Sequence, residues 1–134
     1  MNTGDKFRKC VETHDMEGAR ELFAESIEFR SPAVFKPYEG LDAIMFILEN
    51  VEKTFENFRY VDQASQGNSH MLRFEANVGD KSLEGVDLLQ TNDEGLVTNF
   101  TVMIRPLSGT IALSEAMKAR FEAAMGSAEA PPAE

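Results

Sequence analysis

One acidic residue, Asp87, interrupts an otherwise apolar segment and is the residue of this chain best placed to do chemistry. The segment reads as a β-strand, so Leu83, Gly85, Asp87 and Leu89 share one face. If that face lines a core or pocket, the carboxylate is buried and must find partners, change its pKa or react. Gly85 leaves room beside it, which favours a pocket with Asp87 as an acid/base group.

Two other interpretations of Asp87 stay open. A buried carboxylate can serve the fold alone, held by structural hydrogen bonds. A shift of the strand register by one residue would instead turn Asp87 toward solvent.

The remaining reactive residue types predict little chemistry. His14 lies at a turn between two helices, where a surface or capping role is expected, and His70 begins a strand near the rim of the sheet. Cys10 is the single cysteine and is expected to pack as a small hydrophobic residue. With two separated histidines and one cysteine, the sequence predicts no zinc site, no disulfide and no cofactor.

The composition excludes several kinds of partner. The chain has 134 residues, with 23 acidic and 13 basic side chains and a formal net charge of −10. No cluster of Lys and Arg is present to neutralise phosphates, so neither nucleic acid nor an acidic membrane surface is expected as a partner. No apolar run is long enough for a membrane span, and the first residues lack the apolar core of a signal peptide. We therefore expect a cytoplasmic protein.

Hydrophobic periodicity and turn residues predict the element order ααβαββββα. The loop from Pro32 to Gly40 carries two aromatic residues, Phe35 and Tyr38. One domain is expected over residues 1–125, followed by a flexible tail at 126–134. Helices are predicted at 5–14, from the N-cap Asp15 through Phe23, at 41–55 and at 107–124, and strands around Ile27–Phe29 and at 58–66, 69–78, 81–91 and 95–105.

This order predicts an α+β fold shaped as a cone-shaped half-barrel. Glycine-containing turns separate the last four strands, as in an antiparallel meander. A strongly bent sheet with its helices gathered on one face encloses a cavity between the two layers, where ligands tend to bind.

Several segments in this order resemble the nuclear transport factor 2-like superfamily, whose fold is also described as cystatin-like. The resemblance covers about residues 7 to 106 and is greatest to the SnoaL-like polyketide cyclase and ketosteroid isomerase branches. The segments that carry it are His14–Ala19 followed by Leu22–Ala24, Ile27–Pro32, Gly40 before the long helix, Val86-Asp87 with Asp93–Val97, and Arg105-Pro106.

The resemblance to ketosteroid isomerases implies three functional positions, and only one of them holds a matching residue. Asp87 matches the protonated aspartic acid that donates a hydrogen bond to the forming oxyanion in those enzymes. Ser31 stands where the base is expected, and Phe7 where a tyrosine donor is expected. Steroid isomerisation by that mechanism is therefore not predicted. The SnoaL-like cyclases imply another role, in which Asp87 acts as acid/base on an activated carbon acid.

We interpret the chain as a protein that binds an apolar small molecule, with isomerase- or cyclase-like chemistry at Asp87. The alternative is a non-catalytic binding or assembly domain of the same fold. Homodimerisation through the outer face of the sheet, which carries Arg73, Glu75 and Asn77, is implied by the resemblance. The residues expected to contact the ligand are Phe7, Val11, Phe29, Ser31, Tyr38, Ile44, Ile47, Phe74, Leu83, Gly85, Phe100, Val102 and Ile104.

Overall fold

A computed structural model describes residues 1–125, which form four helices and one six-stranded sheet. Residues 126–134, predicted to be a flexible tail, lie outside the described residues. The elements are α1 (Thr3–Glu12), α2 (Met16–Glu21), β1 (Phe23–Arg30), β2 (Tyr38–Glu39), α3 (Leu41–Thr54), β3 (Glu56–Gln66), β4 (Ser69–Val78), β5 (Lys81–Thr91), β6 (Val97–Arg105) and α4 (Leu107–Met125).

The sheet has the strand order β2-β1-β6-β5-β4-β3. Strands β3 to β6 form the predicted antiparallel meander, and β1 joins β6 in parallel. Two of its turns contain Gly67 and Gly79 at φ of +59° and +60°, a conformation that glycine adopts without the steric cost of a side chain. The α+β class and the meander predicted from the sequence are confirmed.

The first two helices begin where the sequence provides N-caps. Asn2 and Asp5 form a reciprocal capping box at the start of α1. The carboxylate of Asp15 accepts a hydrogen bond from the Gly18 N–H at 2.9 Å, as expected of the predicted N-cap of α2.

The predicted extent of α2 is wrong at its C-terminal end. The helix ends at Glu21, and Phe23 instead opens β1, where it pairs with Val97. The Phe23 ring packs against Phe7 and Phe100, with centroids 6.0 and 6.1 Å away. Burial against these partners from distant parts of the chain outweighs the local helical pattern. The two-residue strand β2 was also missed, since so short a strand leaves no periodicity.

The predicted register of β5 is correct. Leu83, Gly85, Asp87 and Leu89 are all buried on the inner face, beneath the helices. On the outer face, Arg73 pairs with Glu84 at 3.1 Å and Arg105 pairs with the same carboxylate at 2.6 Å. Within residues 1–125, no helix is long and apolar enough to cross a membrane.

Gly85 does not leave space beside Asp87, contrary to the expectation from the sequence. A methyl group added there would lie 2.5 Å from Cζ of Phe74 and 2.7 Å from the carbonyl oxygen of Met103. Gly85 therefore makes room for the Phe74 ring rather than for a ligand.

Replacing Gly85 with alanine should destabilise the protein by roughly 1–3 kcal/mol, because the core there is already filled. Urea denaturation would measure the change, with Lys81→Ala on the same strand as an exposed control. A Gly85→Ala protein as stable as the wild type would contradict this packing.

Candidate functional site

A cavity of about 770 Å³ lies between the inner face of the sheet and the helices α1, α3 and α4. Its wall is mainly apolar and aromatic, with Phe7 from α1, Ile47 from α3 and Phe100 from β6 among the lining side chains. Helix α4 contributes Leu113 and Met117, which belong to the buried stripe of that helix. Cavities of this volume and lining suit small apolar ligands.

Asp87 lies in the cavity wall, where Tyr60 of β3 reaches it across β4. The Tyr60 hydroxyl donates a hydrogen bond of 2.8 Å to Oδ2 of Asp87, and each residue is only 6% exposed. The pairing of β3 with β4 shifts by one residue after Tyr60, from Tyr60–Phe74 to Asp62–Arg73. This β-bulge changes which residues face inward along the strand.

Burial dominates the ionisation of this pair. It raises the pKa of Asp87 from its usual 3.8 to about 7, although the hydrogen bond from Tyr60 opposes the rise. The pKa of Tyr60 is raised well above its ordinary value by burial first, and then by the charge of Asp87 and the hydrogen bond to it. Tyr60 therefore stays a protonated donor, while Asp87 titrates near neutral pH.

The second carboxyl oxygen of Asp87, Oδ1, makes no hydrogen bond within the described residues and faces the cavity. Tyr60 is the hydrogen-bond partner of Oδ2, and Oδ1 has no partner among residues 1–125. In the same part of the chain no fully buried side-chain oxygen lacks a hydrogen bond. Oδ1 is therefore accessible from the cavity that Asp87 lines.

Aromatic rings fix the position of Tyr60. Phe58 meets it edge-to-face at 5.0 Å between centroids, and Phe74 does so at 6.4 Å. Phe58 also stacks on Phe74 at 4.9 Å. Such pairs contribute about 0.5–1.5 kcal/mol each beyond area burial, so the hydroxyl is held toward Asp87 by packing.

Ser31 lines the cavity as a candidate donor and not as a base. Its Oγ accepts hydrogen bonds from the backbone N–H groups of Val34, at 3.0 Å, and Ala33, at 3.3 Å. These contacts use the oxygen's acceptor capacity and leave the hydroxyl proton for another partner. Phe7, at the position where a tyrosine was expected, offers only a ring that meets Phe100 edge-to-face at 5.4 Å.

Ionisable groups occur among the residues of the cavity wall. His14 contacts Glu52 at 3.1 Å, and both line the cavity together with Lys118. Tyr38 also lines it, as expected, whereas Phe35 is 94% exposed and does not.

Most of the residues predicted to face a ligand do line the cavity. Three predicted residues, Ile44, Leu83 and Gly85, are buried but do not line it. Gly109 of α4 sits close over Leu83, and Phe74 covers Gly85. The predicted residues that line the cavity are Phe7, Val11, Phe29, Ser31, Tyr38, Ile47, Phe74, Asp87, Phe100, Val102 and Ile104.

Tyr60 was not among the residues predicted from the sequence. The available signal was its alternation with Phe58 on β3, two aromatic residues on what proves to be the inner face. His70 is buried and contacts Ser65 Oγ at 2.8 Å, but it does not line this cavity.

Comparison with solved structures finds the same fold in several bacterial proteins. A steroid delta-isomerase from Pseudomonas aeruginosa is 35% identical, with a TM-score of 0.87 over 91% of this chain and 90% of that one. A protein from Silicibacter pomeroyi described as having a cystatin-like fold is 33% identical, with a TM-score of 0.84 over 89% of this chain and 84% of that one. An NTF2-like protein of unknown function from Cytophaga hutchinsonii, 22% identical with a TM-score of 0.62 over 78% and 88% of the two chains, shares the fold alone.

The sequence profile of one protein family covers most of the chain. The SnoaL-like domain matches residues 5–100, a range that includes both Tyr60 and Asp87. No curated protein sequence matches at a significant level. From this match and the two relatives above 30% identity, the chain belongs to the SnoaL-like domain family, within the NTF2-like superfamily.

Proposed function

We propose that the protein binds an apolar small molecule that carries a carbonyl group, and that Asp87 exchanges a proton with it. The observation that carries this proposal is a buried carboxyl group with Oδ2 held by Tyr60 and Oδ1 accessible from an apolar cavity. A titratable group buried in a cleft is a candidate for acid/base work because burial shifts its pKa toward the operating pH.

Each protonation state of Asp87 has its own use. The neutral acid donates a hydrogen bond from Oδ1 to a ligand carbonyl, while Oδ2 accepts from Tyr60. The carboxylate takes a proton from a carbon next to the ligand carbonyl. With a pKa of about 7, both states are populated at neutral pH.

These states support isomerisation or ring closure of a carbon acid. Asp87 accepts the proton as the C–H bond breaks, and the electron pair moves into the ligand as an enolate. The same proton then returns to another carbon in an isomerisation, or to the new oxyanion in an aldol-type ring closure. The Ser31 hydroxyl, whose proton is left for another partner, is a candidate donor to the enolate oxygen.

A second candidate is steroid isomerisation, which the name of the 35% identical Pseudomonas aeruginosa relative favours. The residues of this chain argue against it. Ser31 is no base, and Phe7 has no group to donate. The remaining alternative, binding without catalysis, uses the same cavity and predicts no turnover that depends on Asp87.

We also propose that the protein forms a homodimer through the outer face of its sheet. This face alternates ion pairs with exposed apolar residues, among them Met103, which is 56% exposed. An exposed methionine suits the core of a protein interface, and the ion pairs around it suit a polar rim. A cytoplasmic location stays a prediction from the sequence.

The variant Asp87→Asn keeps the shape of the side chain but removes its charge, so it should separate the effect of ionisation from that of packing. Because the pKa of Asp87 is raised, the folded state holds its proton more tightly than the unfolded chain does. The stability from this group is fully present below about pH 4 and is lost as pH climbs through about 7. The amide of the variant has no proton to lose in this range, so the variant should match the wild type near pH 4 and be more stable above pH 7.

The free energy of unfolding in urea across pH 4–8 would measure this difference, with the exposed Asp93→Asn as control. A variant that is less stable than wild type at pH 8 would mean a carboxylate held for structure, and the acid/base role would be withdrawn. Where a substrate is in hand, Asp87→Asn should lower turnover by roughly 10²-fold or more while apolar binding is retained.

Turnover of a 3-oxo-Δ5 steroid should be negligible. A general acid or base typically contributes roughly 10²–10⁴-fold, and two such groups are absent from their expected positions. The assay follows the absorbance of the conjugated product at enzyme concentrations up to micromolar. Efficient turnover by the wild-type protein would establish the steroid as a substrate and contradict the assignment of Ser31 and Phe7.

Light scattering should give a mass near twice 14.9 kDa for the wild-type protein. Met103→Glu, which places a charge in the proposed interface, should shift the mass toward the monomer, whereas Lys81→Glu should not. A wild-type protein that stays monomeric over a wide concentration range would overturn the dimer.

A further inference from the structure

We propose that Arg8 is a positioning residue of this site: its guanidinium, held over the Tyr60 ring, strengthens the hydrogen bond that Tyr60 donates to Asp87. The proposal rests on the role proposed for Asp87. It adds to that role a residue outside the cavity wall, since Arg8 acts through Tyr60 rather than on the ligand.

The geometry places one positive charge on the face of the Tyr60 ring. Cζ of Arg8 lies 5.7 Å from the ring centroid, within the range of a cation–π contact. Tyr60 is buried, and its hydroxyl is 2.8 Å from Asp87. The ring thus connects a cation on one side with a carboxyl group at its far end.

Three polar side chains keep Arg8 in this place. Nε of Arg8 donates to Glu12 at 3.0 Å, and Nη1 donates to Gln63 at 3.3 Å. Gln63 in turn donates to Asp5 at 2.7 Å, and Asp5 belongs to the capping box of α1. The guanidinium is therefore held by side chains of α1 and by Gln63 of β3, the strand that also carries Tyr60.

The electrostatic effect on Asp87 follows from this arrangement. A cation over the ring stabilises negative charge on the phenol oxygen, and Arg8 lowers the pKa of Tyr60 against the larger effects of burial and nearby acids. A more acidic hydroxyl is a stronger donor, and a stronger donor favours the carboxylate form of Asp87. Arg8 thus limits how far burial raises the pKa of Asp87.

Within residues 1–125, few other charged groups face the pair. On α1, Glu12 opposes Arg8 by raising the pKa of Tyr60. The remaining ionisable side chains of the cavity wall are Tyr38, His14 and Glu52, with Arg59 and Lys118. Arg59 pairs with Glu75, and His14 contacts Glu52. The hydrogen bond of the Tyr60 hydroxyl goes to Asp87 instead.

The test is the titration of the Asp87 carboxyl carbon by ¹³C NMR in ligand-free protein. Arg8→Met keeps the aliphatic stem but removes the charge, and it should raise the midpoint by on the order of half a pH unit. Arg8→Lys should restore part of the wild-type value. Glu12→Gln, which removes the opposing charge, should lower the midpoint. Arg20→Met, which removes a surface arginine paired with Asp42, should leave it unchanged.

Opposite shifts for Arg8→Met and Glu12→Gln are the signature of electrostatic tuning, because a purely structural role would not reverse sign. A midpoint that is the same in Arg8→Met, Glu12→Gln and wild type would overturn the proposal. If Arg8→Met does not fold, Glu12→Gln and Arg8→Lys decide it. A wild-type midpoint near 4 would instead count against the proposed role of Asp87, so the two failures are distinguishable.

Discussion

The burial of one carboxyl group against one phenol is the constraint on which the rest of this site depends. Asp87 is kept among apolar neighbours by β5, and Tyr60 supplies the hydrogen bond that makes this burial tolerable. Burial disfavours the ionised carboxylate and raises the pKa of Asp87 toward neutrality, although the hydrogen bond from Tyr60 opposes the rise. A group of ordinary acidity thus becomes suited to proton exchange because of where the fold places it.

Helix α4 covers one part of the inner face of the sheet and leaves another part open to the cavity. Leu83 and Gly85, nearer the start of β5, are covered by α4 and by Phe74, whereas Asp87 on the same face meets the cavity. Neighbouring inward positions of one strand therefore lie in different environments, one in the packed core and one at the cavity. This difference explains how a site for chemistry coexists with close packing only a few residues away.

The sequence predicted the fold well and the site only in part. Alternation along β5 was sufficient to place Asp87 on the inner face, and the turn glycines were sufficient to define the meander. The alternation of Tyr60 with Phe58 could indicate an inward position, but its contact with Asp87 depends on a β-bulge and on a reach across β4, which leave no local pattern. The role predicted for Gly85 was wrong, because an alternation pattern cannot show which neighbour fills the space above a glycine.

The titration of Asp87 in the wild-type protein tests the central claim most directly. Carboxyl ¹³C NMR across the range from acidic to mildly alkaline pH should show a midpoint near the value of about 7 expected from burial. A midpoint near or below the usual 3.8 would contradict the claim, because Asp87 would then be a permanently charged structural group.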